Sequence, residues 1–130
     1  MPNTPKPGAV LFAKDLSRVA RFYAELVGMT VTHSDKGVIV LESPNQQLVI
    51  HGIPKQIAKS IVISSPPKRR TDTTVKLVFP VVSIAEARMK AIAHGGELNP
   101  KKKEFEARGF RACDGHDPEG NIVQFREDAT

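Results

Sequence analysis

Apolar and polar positions in the first half of the chain predict one helix among several strands. Apolar residues recur at helical spacing from Leu16 to Val27. Asp15 before them is a favoured N-cap residue, and Gly28 after them suits the left-handed end of a helix. We therefore predict a helix over 15–27. Alternation of apolar and polar residues predicts strands over 9–14, 29–33, 38–42 and 47–51.

The same order of elements returns in the second half. Leu77, Phe79 and Val81 alternate with other residues in a segment that reads as a strand over 76–81. Ser83 and Glu86 then form a capping box in front of a second helix. Residues at helical spacing predict one stripe along it, which contains Ile84, Ala87, Arg88, Ala91 and Ile92. Further strands are predicted over 97–99, 109–114 and 122–126.

The two halves form an internal repeat. Asp15 and Ser83 are 68 residues apart, and the same offset relates Gly28 to the glycine at 96 and Leu11 to Phe79. Neither half can bury much apolar surface alone, so the two are expected to share one core. The sequence predicts a single α+β domain over 1–130, built from two tandem βαβββ modules at about 9–52 and about 75–127. A linker-like segment over 53–74 connects them.

The charge of the chain is basic, with a net charge of +5 and a pI near 9.6. Part of the excess lies in runs of cations at 68–70 and 101–103, which could bind an anionic partner or could be solvated loops. Glu104 and Glu106 follow the second run and offset it, and with one Tyr and no Trp the chain lacks a series of base-stacking aromatics. We therefore expect no nucleic-acid partner.

Location is expected to be cytoplasmic, with no membrane partner. The first residues contain no apolar run typical of a signal peptide, and no apolar stretch approaches the thickness of a bilayer. A single cysteine, Cys113, cannot form an internal disulfide, and this fits a reducing compartment. Cys113 is read as structural, since no neighbour in the sequence would activate it.

A turn and a strand close the chain. The residues from Asp117 to Asn121 read Asp-Pro-Glu-Gly-Asn, and an alternating strand follows from Ile122. Together with the duplicated module, this motif resembles the vicinal oxygen chelate superfamily, which includes glyoxalase I, extradiol dioxygenases and the fosfomycin and bleomycin resistance proteins. The resemblance covers nearly the whole chain. It implies a curled mixed sheet around a cup, with the helices outside.

Alternation then assigns side chains to the cup. We expect the ligand pocket to contain Phe12, Gln47, Val49, His51, Lys76, Arg111, Gln124 and Arg126. The three cations suit a carboxylate, phosphate or phenolate if they converge, whereas each could instead reach the rim and be solvated. His116 is read as bonding locally, with a lid over the cup as the alternative.

Metal-dependent relatives hold a divalent ion on four cup positions. The resemblance places these on Gly8, Val49, Lys76 and Gln124, of which only Gln124 offers a ligating oxygen. We therefore expect no metal cofactor. The alternative is a divalent ion near His51 and Gln124, which would require a slip in the assumed register.

Function is predicted from these residues and from the resemblance. The leading hypothesis is a metal-free protein that binds a small anionic or aromatic molecule in the cup. The alternatives are a metal-dependent lyase or dioxygenase of the same superfamily, or an enzyme that uses His51 and Lys76 without metal. A third possibility is a domain whose main role is to pair with partners, with a homodimer expected.

Overall fold

A computed structural model describes residues 4–130. The first three residues of the proline-rich leader lie outside the described residues, so the predicted domain is seen from residue 4 onward. Two hydrogen-bonded sheets, one in each module, and three helices make up the fold. The predicted α+β class is confirmed.

The first module contains one sheet and the helix that packs on it. Strand β1 precedes helix α1, and three strands follow. Their bounds are Gly8–Ala13 for β1, Leu16–Val27 for α1, Thr30–Ser34 for β2, Val38–Ser43 for β3 and Gln46–Gly52 for β4. The strand order is β1-β4-β3-β2, with β1 parallel to β4 and the other pairs antiparallel.

The connecting segment is packed, although its sequence predicts a linker. It includes a four-residue helix α2, Lys55–Ala58. Further along, the backbone N–H of Arg70 donates to the carbonyl oxygen of Gly120 at 2.8 Å. The segment thus lies against the turn that starts the last strand.

The second module repeats the topology of the first. Its elements are β5 Leu77–Pro80, α3 Ile84–Ala93, β6 Glu97–Leu98, β7 Phe105–Ala107, β8 Phe110–His116 and β9 Ile122–Asp128. The strand order is β5-β9-β8-β6, with β7 also pairing with β8. Strand β7 was not predicted, because its charged sequence reads as a loop. A 3-10 turn over Lys101–Lys103 precedes it.

Both predicted helix starts are confirmed. Asp15 accepts a hydrogen bond from the backbone N–H of Arg18, and Ser83 accepts one from that of Glu86, each at 3.1 Å. Helix α1 ends at Gly28, whose φ of 77° lies in the left-handed region. The two helices therefore begin where their sequences predict.

Helix α1 packs on both sheets. Its Phe22 ring lies 6.3 Å from the ring of Phe125, and its Tyr23 ring lies 5.4 Å from that of Phe79. Phe79 and Phe125 belong to the second sheet, so the first module's helix contributes to the core of the second. This shared core was expected, because neither module is large enough to fold alone.

Helix α3 is buried along a narrower stripe than predicted. Ile84, Ala87 and Ala91 are buried, whereas Ile92 is 70% exposed. The expectation that Ile92 belongs to the buried stripe is wrong. None of the helices described from residue 4 onward is long and apolar enough to cross a membrane.

Candidate functional site

The sheet faces away from the helices form the cup. Leu48, Ile50, Val123 and Phe125 are buried against the helices, as alternation predicts. The side chains between them point to the opposite face. On the first sheet that face is open: Phe12 there is 58% exposed.

Phe12, Gln47, Val49 and His51 lie on this face of the first sheet. The parallel register of β1 and β4 pairs Phe12 with His51, Val10 with Val49 and Gly8 with Gln47. The rings of Phe12 and His51 are 5.4 Å apart and tilted by 57°. His51 Nδ1 lies 2.9 Å from the carbonyl oxygen of Gly52, which is the local contact expected of a strand-end histidine.

A row of polar groups crosses the same face of the second sheet, and we call it the polar row. Lys76 Nζ lies 2.9 Å from Oδ2 of Asp114, and Gln124 Nε2 donates to Oδ1 of Asp114 at 3.0 Å. Gln124 Oε1 in turn accepts from Arg126 Nε at 2.7 Å. The two oxygens of Asp114 and the amide of Gln124 are thus each bonded to a neighbour within the row.

Two contacts position the guanidinium of Arg126. Besides its bond to Gln124, its guanidinium lies 4.2 Å from the centre of the Phe110 ring. Among residues 4–130 it forms no ion pair with a carboxylate within 4.0 Å. Arg126 is therefore a positioned cation whose charge is not neutralised by a direct partner.

Arg69 from the connecting segment extends the polar row. Its Nε donates to Nδ1 of His116 at 2.9 Å, and its Nη1 donates to Oδ1 of Asn99 at 2.7 Å. His116 is buried and pairs in register with Ile122, on the face that carries Gln124. The bond between His116 and Arg69 requires an imidazole with a free lone pair at Nδ1, which is the neutral form. Burial first, and the charge of Arg69 second, lower the pKa of His116.

Arg111 does not face the cup. The antiparallel register of β8 and β9 pairs it with Glu127, whereas Asp114 is the residue that pairs with Gln124. On the helix side, Arg111 Nη2 lies 2.7 Å from Glu106. The prediction that Arg111 lines the pocket is wrong, because its parity along β8 is opposite to that of Asp114.

Glu104 also departs from its predicted setting. Its side chain is buried and forms ion pairs with Arg88 and Arg111, and it does not offset the neighbouring lysine run in solvent. Cys113 lies in the same region, where its Sγ is 3.3 Å from the carbonyl oxygen of Asn99. Burial raises the pKa of the Cys113 thiol, so this group is a poor nucleophile, as its sequence context predicts.

The Asp-Pro-Glu-Gly-Asn turn binds helix α1 and not the cup. Asp117 Oδ2 accepts a hydrogen bond from Tyr23 Oη at 2.8 Å. The carboxylate of Glu119 accepts from the backbone N–H groups of Lys14 and Asp15, at 2.8 and 2.6 Å. Both acids are buried. The motif therefore has a structural role in this chain: it joins the start and the middle of α1 to the last hairpin.

Comparison with known families decides the identity of the fold. The family model for a glyoxalase-like domain matches residues 8–125. The chain belongs to this glyoxalase-like family. No curated protein matches the chain.

Solved structures show the same fold at low identity to this glyoxalase-like domain. A glyoxalase/bleomycin resistance protein/dioxygenase family enzyme from Burkholderia phytofirmans PsJN is 17% identical, with a TM-score of 0.69 over 93% of this chain and 96% of that one. A glyoxalase-related enzyme from Fulvimarina pelagi is 18% identical, with a TM-score of 0.66 over 97% and 89%. The fosfomycin resistance protein FosX from Mesorhizobium loti is 10% identical, with a TM-score of 0.64 over 98% and 93%.

The residues at the four expected metal positions of this glyoxalase-like domain do not fit a divalent ion. Gly8 has no side chain, and a Cβ added there would overlap the carbonyl oxygen of Gln47. Val49 is apolar, and Lys76 brings a cation of its own. The one available oxygen, Oε1 of Gln124, already accepts from Arg126.

The alternative metal position, near His51 and Gln124, also lacks suitable ligands. His51 lies on the first sheet and Gln124 on the second, and each is bonded to a near neighbour. Across residues 4–130 there is no group of three His, Cys, Asp or Glu side chains placed to hold one ion. We derive no metal chemistry from either set of residues.

On the first sheet of this glyoxalase-like domain the cup is an open surface, since Val10 and Phe12 are 57% and 58% exposed. The main clefts among residues 4–130, of about 160 to 720 Å³, are lined by other residues and not by the eight predicted pocket residues. The largest lies between the connecting segment and α3. A ligand in the cup would therefore lie against exposed side chains of both sheets.

Proposed function

We propose that this glyoxalase-like domain is a metal-free protein that binds a small anionic or aromatic molecule in its cup. The observation that carries the proposal is the polar row. The row contains three cations, Arg69, Lys76 and Arg126, and one carboxylate, that of Asp114, which is paired with Lys76. The row therefore has excess positive charge, which favours an anion and opposes a divalent cation.

The first sheet supports the aromatic or apolar part of the proposed ligand. Val10 and Phe12 are 57% and 58% exposed, and both lie on the cup face beside half-buried Val49. Exposed apolar side chains next to a cationic surface suit a ligand with an apolar body and a charged group. Seven of the eight expected residues enter this proposal, and Arg111 does not, because it lies on the other face.

Metal retention tests the proposal against its alternative, a metal-dependent lyase or dioxygenase. Tag-free protein would be incubated with nickel, zinc, manganese and iron salts, desalted and analysed for metal content. We expect retention far below one ion per chain, both in the natural protein and in a His51→Ala variant. Stoichiometric retention that is lost in His51→Ala would overturn the proposal and favour the enzyme.

A homodimer in the cytoplasm is part of the same proposal. The free thiol of Cys113 supports a reducing compartment, and the exposed apolar side chain of Val31, on the face opposite the cup, supports a surface that a second copy covers. Sedimentation equilibrium would measure the mass. A monomer at all concentrations would remove the dimer from the proposal and leave the ligand site unaffected.

A further inference from the structure

We propose that Arg126 is the anchor for the ligand's charged group, and that this group is a carboxylate on a flat apolar body. This inference rests on the proposed function. It goes beyond it by naming one cation among several and one class of anion. The geometry around each cation on the cup face is what separates them.

Lys76 is the least available of the three cations. Its ammonium lies 2.9 Å from Asp114 Oδ2, so its charge is already matched by a carboxylate. An incoming anion would have to compete with Asp114 for it. Lys76 therefore balances Asp114, which in turn orients the amide of Gln124.

The charge of Arg69 is more available to a ligand than that of Lys76, but its guanidinium is less favourably placed. Its Nε and Nη1 both donate to neutral acceptors, His116 and Asn99. These bonds hold the guanidinium at the edge of the second sheet, beside β6, and engage one of its two terminal nitrogens as well as Nε. Arg69 adds positive potential to the cup, and its role is to hold the connecting segment in place.

Arg126 combines charge with free donors. Within residues 4–130 its Nε alone is hydrogen-bonded, to Gln124, so both terminal nitrogens keep their N–H groups for a ligand. Gln124 and the Phe110 ring fix the plane of the guanidinium before a ligand arrives. A planar fork held in advance suits the two oxygens of a carboxylate.

The other charges on this face do not neutralise Arg126. Asp128, two residues further along β9, is exposed, and its carboxylate accepts from Thr130. On the first sheet, Glu42 is paired with Lys6 at 3.1 Å. Arg108 also lies against the Phe110 ring, 5.0 Å from its centre, but it is exposed and no side-chain hydrogen bond among residues 4–130 orients it. Arg126 is the unneutralised guanidinium that a hydrogen bond positions, and one such group predicts a monoanion.

The flat apolar body follows from the neighbouring surfaces. The Arg126 guanidinium lies 4.2 Å from the centre of the Phe110 ring, so the anchor itself is a flat and partly apolar surface. Aromatic rings and guanidinium planes favour flat partners, which contact them over a larger area than a flexible chain does. We therefore expect aromatic carboxylates to bind better than aliphatic ones.

The test uses matched acids and amides. Benzoate, 2-naphthoate and hexanoate would each be titrated beside the corresponding neutral amide, with backbone amide shifts of the cup strands as the readout. We expect 2-naphthoate to bind about tenfold more tightly than 2-naphthamide, because a charged hydrogen bond contributes about that factor. Hexanoate is expected to bind more weakly than benzoate.

Two arginine variants assign the preference to one residue. Arg126→Gln is expected to abolish the acid-over-amide preference, and Arg126→Lys to restore part of it through charge alone. Arg111→Gln is the matched control, because it removes the same charge from the opposite face of the sheet. Its preference should equal that of the natural protein. Urea unfolding of each variant would confirm that the fold is intact.

The outcomes separate this inference from the proposed function. If acids and amides shift the cup signals equally, or if the acid-over-amide preference survives Arg126→Gln, Arg126 is not the anchor. The cup would still be a binding site. If hexanoate binds as tightly as 2-naphthoate, the proposal that the ligand has a flat apolar body is wrong. If no acid and no amide shifts any cup signal, both the inference and the proposed function fall.

Discussion

Tyr23 Oη donates a hydrogen bond to Asp117 Oδ2 at 2.8 Å, between two buried side chains that are 94 residues apart in sequence. Tyr23 belongs to the helix of the first module and Asp117 to the last turn of the second. Burial raises the pKa of Tyr23 well above its usual value, and the charge of Asp117 adds to this, so the phenol stays a donor. The contact therefore joins the two modules directly.

Removing the phenol oxygen tests this contact. Tyr23→Phe is expected to lower the free energy of unfolding by about 1–3 kcal/mol, because it leaves a buried carboxylate oxygen one donor short. A double-mutant cycle with Asp117→Asn, measured by urea unfolding, should give a coupling energy of about 1 kcal/mol or more. Ser83→Ala is the control, since it removes a distant helix cap and should be additive with Asp117→Asn. Additivity of the Tyr23 pair would contradict the contact.

Glu119 offers a second test of the turn. Glu119→Gln replaces one acceptor oxygen with an NH2 group facing the N–H groups of Lys14 and Asp15. We expect a loss of about 1–3 kcal/mol in unfolding free energy, and faster hydrogen exchange at those two amides.

The second module provides the matched control for Glu119. Glu127 Oε1 accepts from the backbone N–H of Ile84, at the start of α3, at 3.0 Å. Glu127→Gln should speed exchange at Ile84 and leave Lys14 and Asp15 unchanged. If Glu119→Gln changed exchange at none of these amides, its role at the start of α1 would be wrong.

Local patterns were enough to predict most elements of the fold. The N-cap residues Asp15 and Ser83, the terminating Gly28 and the repeat at a fixed offset are signals that depend only on near neighbours. Strand β7 was missed because its pairing with β8 is decided by a partner strand and not by its own sequence. The sequence of the connecting segment predicts a linker, because the contacts that order the segment are with distant residues.

Predicting the polar row from the sequence requires the register of the hairpin formed by β8 and β9. Counting back from the turn, His116 pairs with Ile122, so Asp114 must pair with Gln124 and Arg111 with Glu127. This count was available in the sequence and would have placed Asp114 in the cup and Arg111 outside it. Arg69 could not be found this way, since its bonds to Asn99 and His116 depend on the path of the connecting segment.

The bond between Arg69 and His116 predicts a dependence of stability on pH. Burial and Arg69 lower the pKa of folded His116 from 6.5, and only the neighbouring Glu97 opposes this. Below that value the unfolded chain takes up a proton that the folded chain resists, so the free energy of unfolding should fall as pH decreases. One such group contributes a slope of at most about 1.4 kcal/mol per pH unit.

Urea unfolding between about pH 7.5 and about pH 5 would measure this slope. His116→Asn keeps an acceptor for Arg69 but cannot be protonated, so its slope should be smaller than that of the natural protein. Arg69→Gln should also reduce the slope, because the like charge that disfavours His116 protonation is gone. An unchanged slope in His116→Asn would show that other groups cause the dependence.

Gly8 sets a steric limit on the cup, and a pair of glycine variants can measure it. A Cβ at position 8 would overlap the carbonyl oxygen of Gln47, which belongs to the backbone of the neighbouring strand and cannot rotate away. Gly8→Ala is therefore expected to cost about 1–3 kcal/mol of unfolding free energy. At Gly37 the nearest atom to an added Cβ is Asp35 Oδ1 at 3.8 Å, so Gly37→Ala should change stability by less than about 0.5 kcal/mol. Equal effects would mean that β1 and β4 can separate at Gly8, and that a side chain capable of binding metal could be accommodated there.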